Sequence, residues 1–163
     1  MDNDFALLFD AIKGPRDLAE VLHLALATGR KVYITGKSIR HDHNKVKGLI
    51  DSWKPGFRNN PKINNLEYEE DYFSQIYKLR KKGYTIVGTS PNTGQSLFET
   101  DFSKEKQVIV FGTETSGLNK EKMAKVDYTI RVPMQNNTRF YTLATVTPII
   151  VYEIMRQKGL LKK

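Results

Sequence analysis

At 163 residues with a formal net charge of +8, the chain is long enough for one domain around one apolar core, and basic enough to point to a polyanionic partner, nucleic acid first. The lack of cysteine excludes disulfides, zinc–thiolate sites and a cysteine nucleophile. No apolar run reaches the length of a membrane span, and Met1-Asp2-Asn3-Asp4 carries no basic and apolar leader, so a cytoplasmic location and no membrane partner are expected.

Phe5 to Ile12 reads as a first buried strand, closed by the turn Lys13-Gly14-Pro15. Pro15 has a φ suited to a first helical position, and Asp17 complements the positive end of a helix dipole. Leu18, Val21, Leu22, Ala25 and Leu26 then recur at i, i+3, i+4, i+7 and i+8, the stripe of an amphipathic helix, and Gly29 supplies its stop. Lys31 to Thr35 is a short strand, followed by a helix near Asn44 to Trp53 and a Pro-, Gly- and Asn-rich loop through Asn65. Asp71 to Lys82 reads as a helix stopped by Gly83. Tyr84 to Gly88 is a strand left by the loop Thr89-Ser90-Pro91-Asn92, and Leu97 to Asp101 is a minor strand or turn. Val108 to Phe111 is a strand running into a glycine-bracketed acidic turn, Gly112 to Leu118. Asn119 to Lys125 is a short helix, Asp127 to Val132 a strand, and Leu143 to Lys158 a long amphipathic helix. Strands alternating with helices predict an α/β domain over residues 1–163, with a mainly parallel sheet flanked by helices. Three loops that each leave a strand end can converge on one small-molecule pocket.

The basic excess is concentrated. Arg30, Lys31, Lys37, Arg40, Lys45, Lys47, Lys54, Arg58 and Lys62 are opposed only by Asp42 and Asp51, with Trp53 and Phe57 interleaved. Phosphate neutralisation beside aromatic stacking is what an RNA-facing surface needs. A solvated helix and loop whose Trp53 and Phe57 are core would look the same. RNA contact is favoured because acidic residues return only at Glu67 to Asp71. No cluster has metal-ligand spacing, His41 and His43 being too close together, so no metal is expected.

Three pieces of the C-terminal third carry a resemblance. Phe111-Gly112-Thr113-Glu114-Thr115-Ser116-Gly117-Leu118 is similar to a Gly-x-Glu-x-x-Gly-Leu turn, and Val132-Pro133-Met134 to an Ile-Pro-Met strand end. Tyr152-Glu153 with Arg156-Gln157 sits on a matching final helix. In this order and spacing they resemble the SpoU–TrmH branch of the SPOUT RNA methyltransferases, nearest to the small single-domain members that methylate tRNA ribose. The resemblance implies a parallel sheet with a deep C-terminal trefoil knot, a homodimer, and a cup that holds S-adenosylmethionine. It implies transfer of the methyl group to a ribose 2′-hydroxyl of tRNA or rRNA. Backbone at Gly112 and Gly117 would approach the cofactor, Leu118, Val132, Met134 and Leu143 would wall it, and Thr89 and Thr142 would contact it.

The same resemblance assigns Glu114 to organising the active site. The family's first motif carries an Asn and, six residues on, an Arg that serves the reaction; here these are Asp17 and His23. His23 is therefore the candidate base, since imidazole titrates near neutral pH, although it lacks the forked phosphate grip of Arg. Arg139 and Arg16 are candidates to supply that grip, and Arg16, Arg30, Lys37 and Arg40 to contact RNA. Phe140-Tyr141-Thr142 stands where the family reads Ser-Leu-Asn, so Thr142 offers one hydroxyl in place of an amide. These departures leave two alternatives open: a catalytically silent RNA-binding protein of the same fold, or a methyltransferase acting on a base atom.

Overall fold

A computed structural model describes residues 4–53, 65–136 and 138–162. Lys54, Phe57, Arg58 and Lys62, four of the expected RNA-facing residues, lie outside them. The elements run β1 (Phe5–Asp10), α1 (Pro15–Thr28), β2 (Lys31–Thr35), α2 (Asn44–Trp53), β3 (Leu66–Glu69), α3 (Tyr72–Lys81), β4 (Thr85–Thr89), β5 (Gln95–Ser96), β6 (Gln107–Phe111), α4 (Lys120–Met123), β7 (Tyr128–Arg131) and α5 (Leu143–Gln157). The strands form one sheet in the order β3-β2-β1-β6-β4-β7-β5, and every pairing is parallel.

Helices on both faces explain why the central strands carry runs of consecutive apolar residues, Phe5 to Phe9 in β1 and Val108 to Phe111 in β6, rather than alternating. In β1 all six residues are buried. Phe5, Leu7 and Phe9 face a core shared with Leu18 and Leu22 of α1 and Ile150 and Ile154 of α5. Ala6 and Leu8 face the other core, with Ile76 and Leu79 of α3. Phe9 pairs in register with Phe111, and their rings stack at 4.9 Å.

Several boundaries differ from the sequence expectation for local reasons. β1 ends at Asp10 rather than Ile12, because Ala11 takes a left-handed φ of 54° and turns the chain. Asp71 does not enter α3 but caps it, accepting the Ser74 N–H at 2.9 Å. Gly29 stops α1 as expected, at φ 70°. Leu97 to Glu99 is a 3₁₀ turn, and α4 and β7 are shorter than expected. β3 has no counterpart in the sequence reading. Its Leu66 and Tyr68 pack against the core while Glu67 and Glu69 pair with Lys31 and Lys78. No described helix is long and apolar enough to cross a membrane.

The end of β1 carries a buried charge. The Asp10 carboxylate, 2% exposed, accepts the Thr35 hydroxyl at 2.8 Å and the Lys122 ammonium at 2.6 Å. This ties β1 and β2 to α4 across the top of the sheet.

Candidate active site

β6 pairs with β4 and β4 with β7, so the loops leaving these three strands lie side by side at the carboxyl edge of the sheet. With the start of α5 they enclose a cavity of about 360 Å³. An open parallel sheet places its ligand crevice at this edge.

The loop after β6 is folded on itself. Thr113 and Gly117 exchange backbone hydrogen bonds at 3.3 and 3.0 Å, and the Thr113 and Ser116 hydroxyls meet at 2.8 Å. Both glycines have a physical reason to be glycine. Gly117 sits at φ 67°. A Cβ on Gly112 would lie 2.1 Å from the Gly117 carbonyl carbon and 2.2 Å from the Leu118 nitrogen. The close approach is therefore first of all that of the loop to itself.

Glu114 points back across the fold. Its Oε1 accepts the backbone N–H groups of Lys13 and Gly14, each at 3.3 Å, and so ties the start of α1 to the β6 loop. Asp17, in the first turn of α1, lies near the backbone N–H of Ala144 at the start of α5, which partly favours its ionised form. Glu114 thus links the α1 start to the β6 loop, and Asp17 stands beside the α5 start. Burial, then the nearby Glu114 charge, push the Asp17 carboxyl above its ordinary value of 3.8. A carboxyl raised in the folded chain binds its proton more tightly there than in the unfolded chain. Its ionised form therefore subtracts from stability, fully above the folded pKa and not at all below the unfolded one. Asp17→Asn keeps an oxygen for Ala144 and removes the charge. It is expected to melt higher than the wild type at about pH 7, with the gap closing as the pH falls toward about 4; thermal melts across this range check it.

Most of the residues expected at the cofactor are brought together. Thr89, Gly112, Gly117, Leu118, Val132, Met134 and Leu143 all line the cavity, and so does Glu114. The Thr89 hydroxyl also latches β4 to β6 through the Val110 carbonyl at 3.0 Å. Thr142 does not line the cavity; it is the N-cap of α5, its hydroxyl 3.0 Å from that of Thr145. The sequence reading had passed over Ile130, Arg131, Val146 and Ile150 as cavity residues, and over Phe140 and Tyr141 at its mouth. Only the aromatic pair left a visible signal, two large rings directly before a helix cap.

The remaining candidates stand elsewhere. His23 and Arg139 are not cavity residues. The His23 ring stacks on Trp53 of α2 at 5.4 Å, and Trp53 itself packs against the core. Arg139 is exposed beside Phe140, and Arg16 is exposed 3.6 Å from Glu20. Lys37 and Arg40 follow β2 at the cavity's edge of the sheet, Arg40 lying over the Tyr68 ring at 4.6 Å. Arg30 precedes β2, at the opposite edge. Its guanidinium pairs with Asp4, covers Phe5 at 5.0 Å, and donates to the Thr28 carbonyl at 3.0 Å, with the side chain 12% exposed.

A parallel α/β sheet with a three-loop cavity at its carboxyl edge defines an open-sheet α/β protein with its candidate site at the strand ends. A model described as the SpoU rRNA Methylase family matches residues 4–152, and the chain belongs to that family. It is 32% identical over 93 residues to a tRNA (guanosine(18)-2′-O)-methyltransferase of Borreliella burgdorferi, covering 57% of this chain and 42% of that one. It is 24% identical over 152 residues to a 23S rRNA (guanosine-2′-O-)-methyltransferase of Pseudomonas aeruginosa, covering 93% of this chain and 58% of the relative. The chain thus spans about half the length of these relatives. Its fold matches an AdoMet-bound rRNA methyltransferase from Sinorhizobium meliloti with a TM-score of 0.83 at 19% identity, over 99% of this chain and 59% of that one.

Proposed function

We propose that the chain is an S-adenosylmethionine-dependent RNA methyltransferase that modifies a ribose 2′-hydroxyl of tRNA or rRNA. The observation that carries this reading is the three-loop cavity, in a chain of the SpoU rRNA Methylase family. The relatives are named as ribose methyltransferases of both RNA classes, and the Sinorhizobium structure as AdoMet-bound. The residues present fit the cofactor: apolar walls from Leu118, Val132, Leu143 and Ile150, and polar groups from Thr89, Ser90 and Asn92 on one side. When bound, it supplies a methyl group on a sulfonium.

The chain's own part is mostly positioning. The β6 loop presents backbone where a side chain would obstruct, and Glu114 holds that loop against the start of α1. Glu114→Ala is expected to lower turnover at least about tenfold by freeing two backbone donors and the loop they hold. Glu121→Ala, on the exposed face of α4, should stay within about twofold. Equal effects in a methyl-transfer assay would reduce the turn to a structural feature.

His23 was the candidate for removing the hydroxyl proton, and a base must come within hydrogen-bond reach of its proton. Its stack on Trp53 supports a packing role instead. His23→Phe keeps the stack and removes the base; turnover within about twofold of wild type is expected. A loss of tenfold or more at an unchanged melting temperature would restore the catalytic role. We also propose that the loops after β6 and β7 interlock with the chain opening α5 as a trefoil knot, and that two copies pair. The resemblance supports both.

The test is transfer of tritiated methyl from S-adenosylmethionine to tRNA and rRNA, followed by digestion to nucleosides. Label in a 2′-O-methylnucleoside is expected. Label in a base would assign a different acceptor, and cofactor binding without transfer would favour the silent RNA-binding reading.

A further inference from the structure

Phe140 and Tyr141 stand at the mouth of the cavity, 59% and 40% exposed. Among the large apolar side chains exposed in the described residues, they are the two that line it. The enclosed part has its own apolar lining in Leu118, Val132, Leu143 and Ile150, each no more than 9% exposed. The two rings are therefore additional to the buried wall, lining the cavity while remaining exposed to solvent. Exposed Arg139 precedes them in the chain, and Arg131 lines the same cavity.

We propose that Phe140 and Tyr141 are a stacking platform for the base of an unpaired nucleotide, holding the acceptor at the cavity mouth. This deepens the methyltransferase reading and rests on it. A ring that faces solvent offers a flat apolar face, and an unpaired base offers the matching face at the same moment as its ribose. A paired base keeps its faces inside the stack and cannot use such a platform. Arg139, exposed and next to Phe140 in the chain, adds a cation of the kind that pairs with phosphate, and the net charge of +8 favours an RNA partner over a neutral one. The substrate class that follows is a loop or single-stranded segment, not a duplex.

The probes are an RNA hairpin with 2-aminopurine in its loop and a fully paired duplex of equal length, each titrated into protein saturated with S-adenosylhomocysteine. The hairpin is expected to bind more tightly than the duplex and to lose 2-aminopurine fluorescence as its base stacks. Phe140→Ala and Tyr141→Ala should each weaken hairpin binding on the order of tenfold and restore the fluorescence, while Phe140→Trp keeps both. S-adenosylhomocysteine affinity should stay within about twofold in all variants, since the enclosed wall is untouched. Equal binding of hairpin and duplex overturns the proposal. So does a loss confined to S-adenosylhomocysteine affinity, which would give the rings to the donor. A fall to monomer in sedimentation without loss of stacking would give them to a second copy of the chain, and also overturns it. The two readings fail separately. Methyl transfer that is indifferent to Phe140→Ala removes the platform and leaves the enzyme. Stacking without methyl transfer removes the enzyme and leaves the platform.

Discussion

Gly112→Ala is expected to abolish S-adenosylmethionine binding in isothermal titration and to lower the melting temperature, while Gly117→Ala should weaken both only modestly. The difference comes from what each new Cβ meets. At Gly112 it would lie 2.1, 2.2 and 2.6 Å from three backbone atoms of Gly117 and Leu118. No rotamer change relieves a clash with backbone, so the turn has to open. Opening it moves Leu118 out of the wall and pulls Glu114 from the Lys13 and Gly14 N–H groups. Overpacking of this kind costs about 1–3 kcal/mol or more in stability, and an affinity loss of at least about a hundredfold follows from a dismantled wall. At Gly117 nothing lies within 4 Å of the added carbon, and only the left-handed φ of 67° is strained. That strain is about 1–2 kcal/mol. Equal losses in the two variants would mean that the self-packing of the loop does not shape the cavity.

Lys122→Met is expected to be the most destabilising single change outside the cavity. It leaves the Asp10 carboxylate, 2% exposed, with the Thr35 hydroxyl as its remaining side-chain donor. Removing one partner of a buried pair costs about 3–5 kcal/mol, because the other charge stays behind without compensation. That is a large part of the ~5–15 kcal/mol that holds a domain together. The Lys122 ammonium also lies 5.3 Å over the Tyr72 ring, and its carbonyl accepts the Tyr72 hydroxyl at 3.2 Å. Burial and then the Asp10 charge push that phenol well above its ordinary value, so it remains a donor. The double variant Asp10→Leu with Lys122→Met should recover most of the loss, since an apolar pair replaces a buried ionic one with little penalty. Urea midpoints at a constant slope check both. A double variant no better than Lys122→Met would show that the shape of this site matters and its charge does not.

The α/β architecture was legible because β1, β4 and β6 are short apolar runs between helical stripes, and a sheet covered on both faces needs such strands. The three-loop cavity was legible from the Gly112 and Gly117 bracket and from Val132 and Leu143, which mark where strands stop and a helix begins. β3 was hidden because half of Leu66-Glu67-Tyr68-Glu69 is acidic, and only Lys31 on the neighbouring strand and Lys78 on α3 explain those carboxylates. The Asp10–Lys122 pair spans 112 residues, and no local pattern announces such a contact. Arg30 looked like a phosphate ligand by composition, yet Asp4 and Phe5 enclose it. His23 looked like a base by its place in a motif, yet the neighbouring helix supplies a ring to stack on. Charge and motif position indicate which residues could act, while the direction a side chain takes depends on the elements packed beside it.

A crystal structure grown with S-adenosylhomocysteine tests the cavity most directly. Ligand density bounded by Gly112, Val132 and Leu143, with the loops after β4, β6 and β7 all in contact, is the expected result. Ligand bound at another surface, or a saturated solution that leaves these three residues without a ligand, would contradict it.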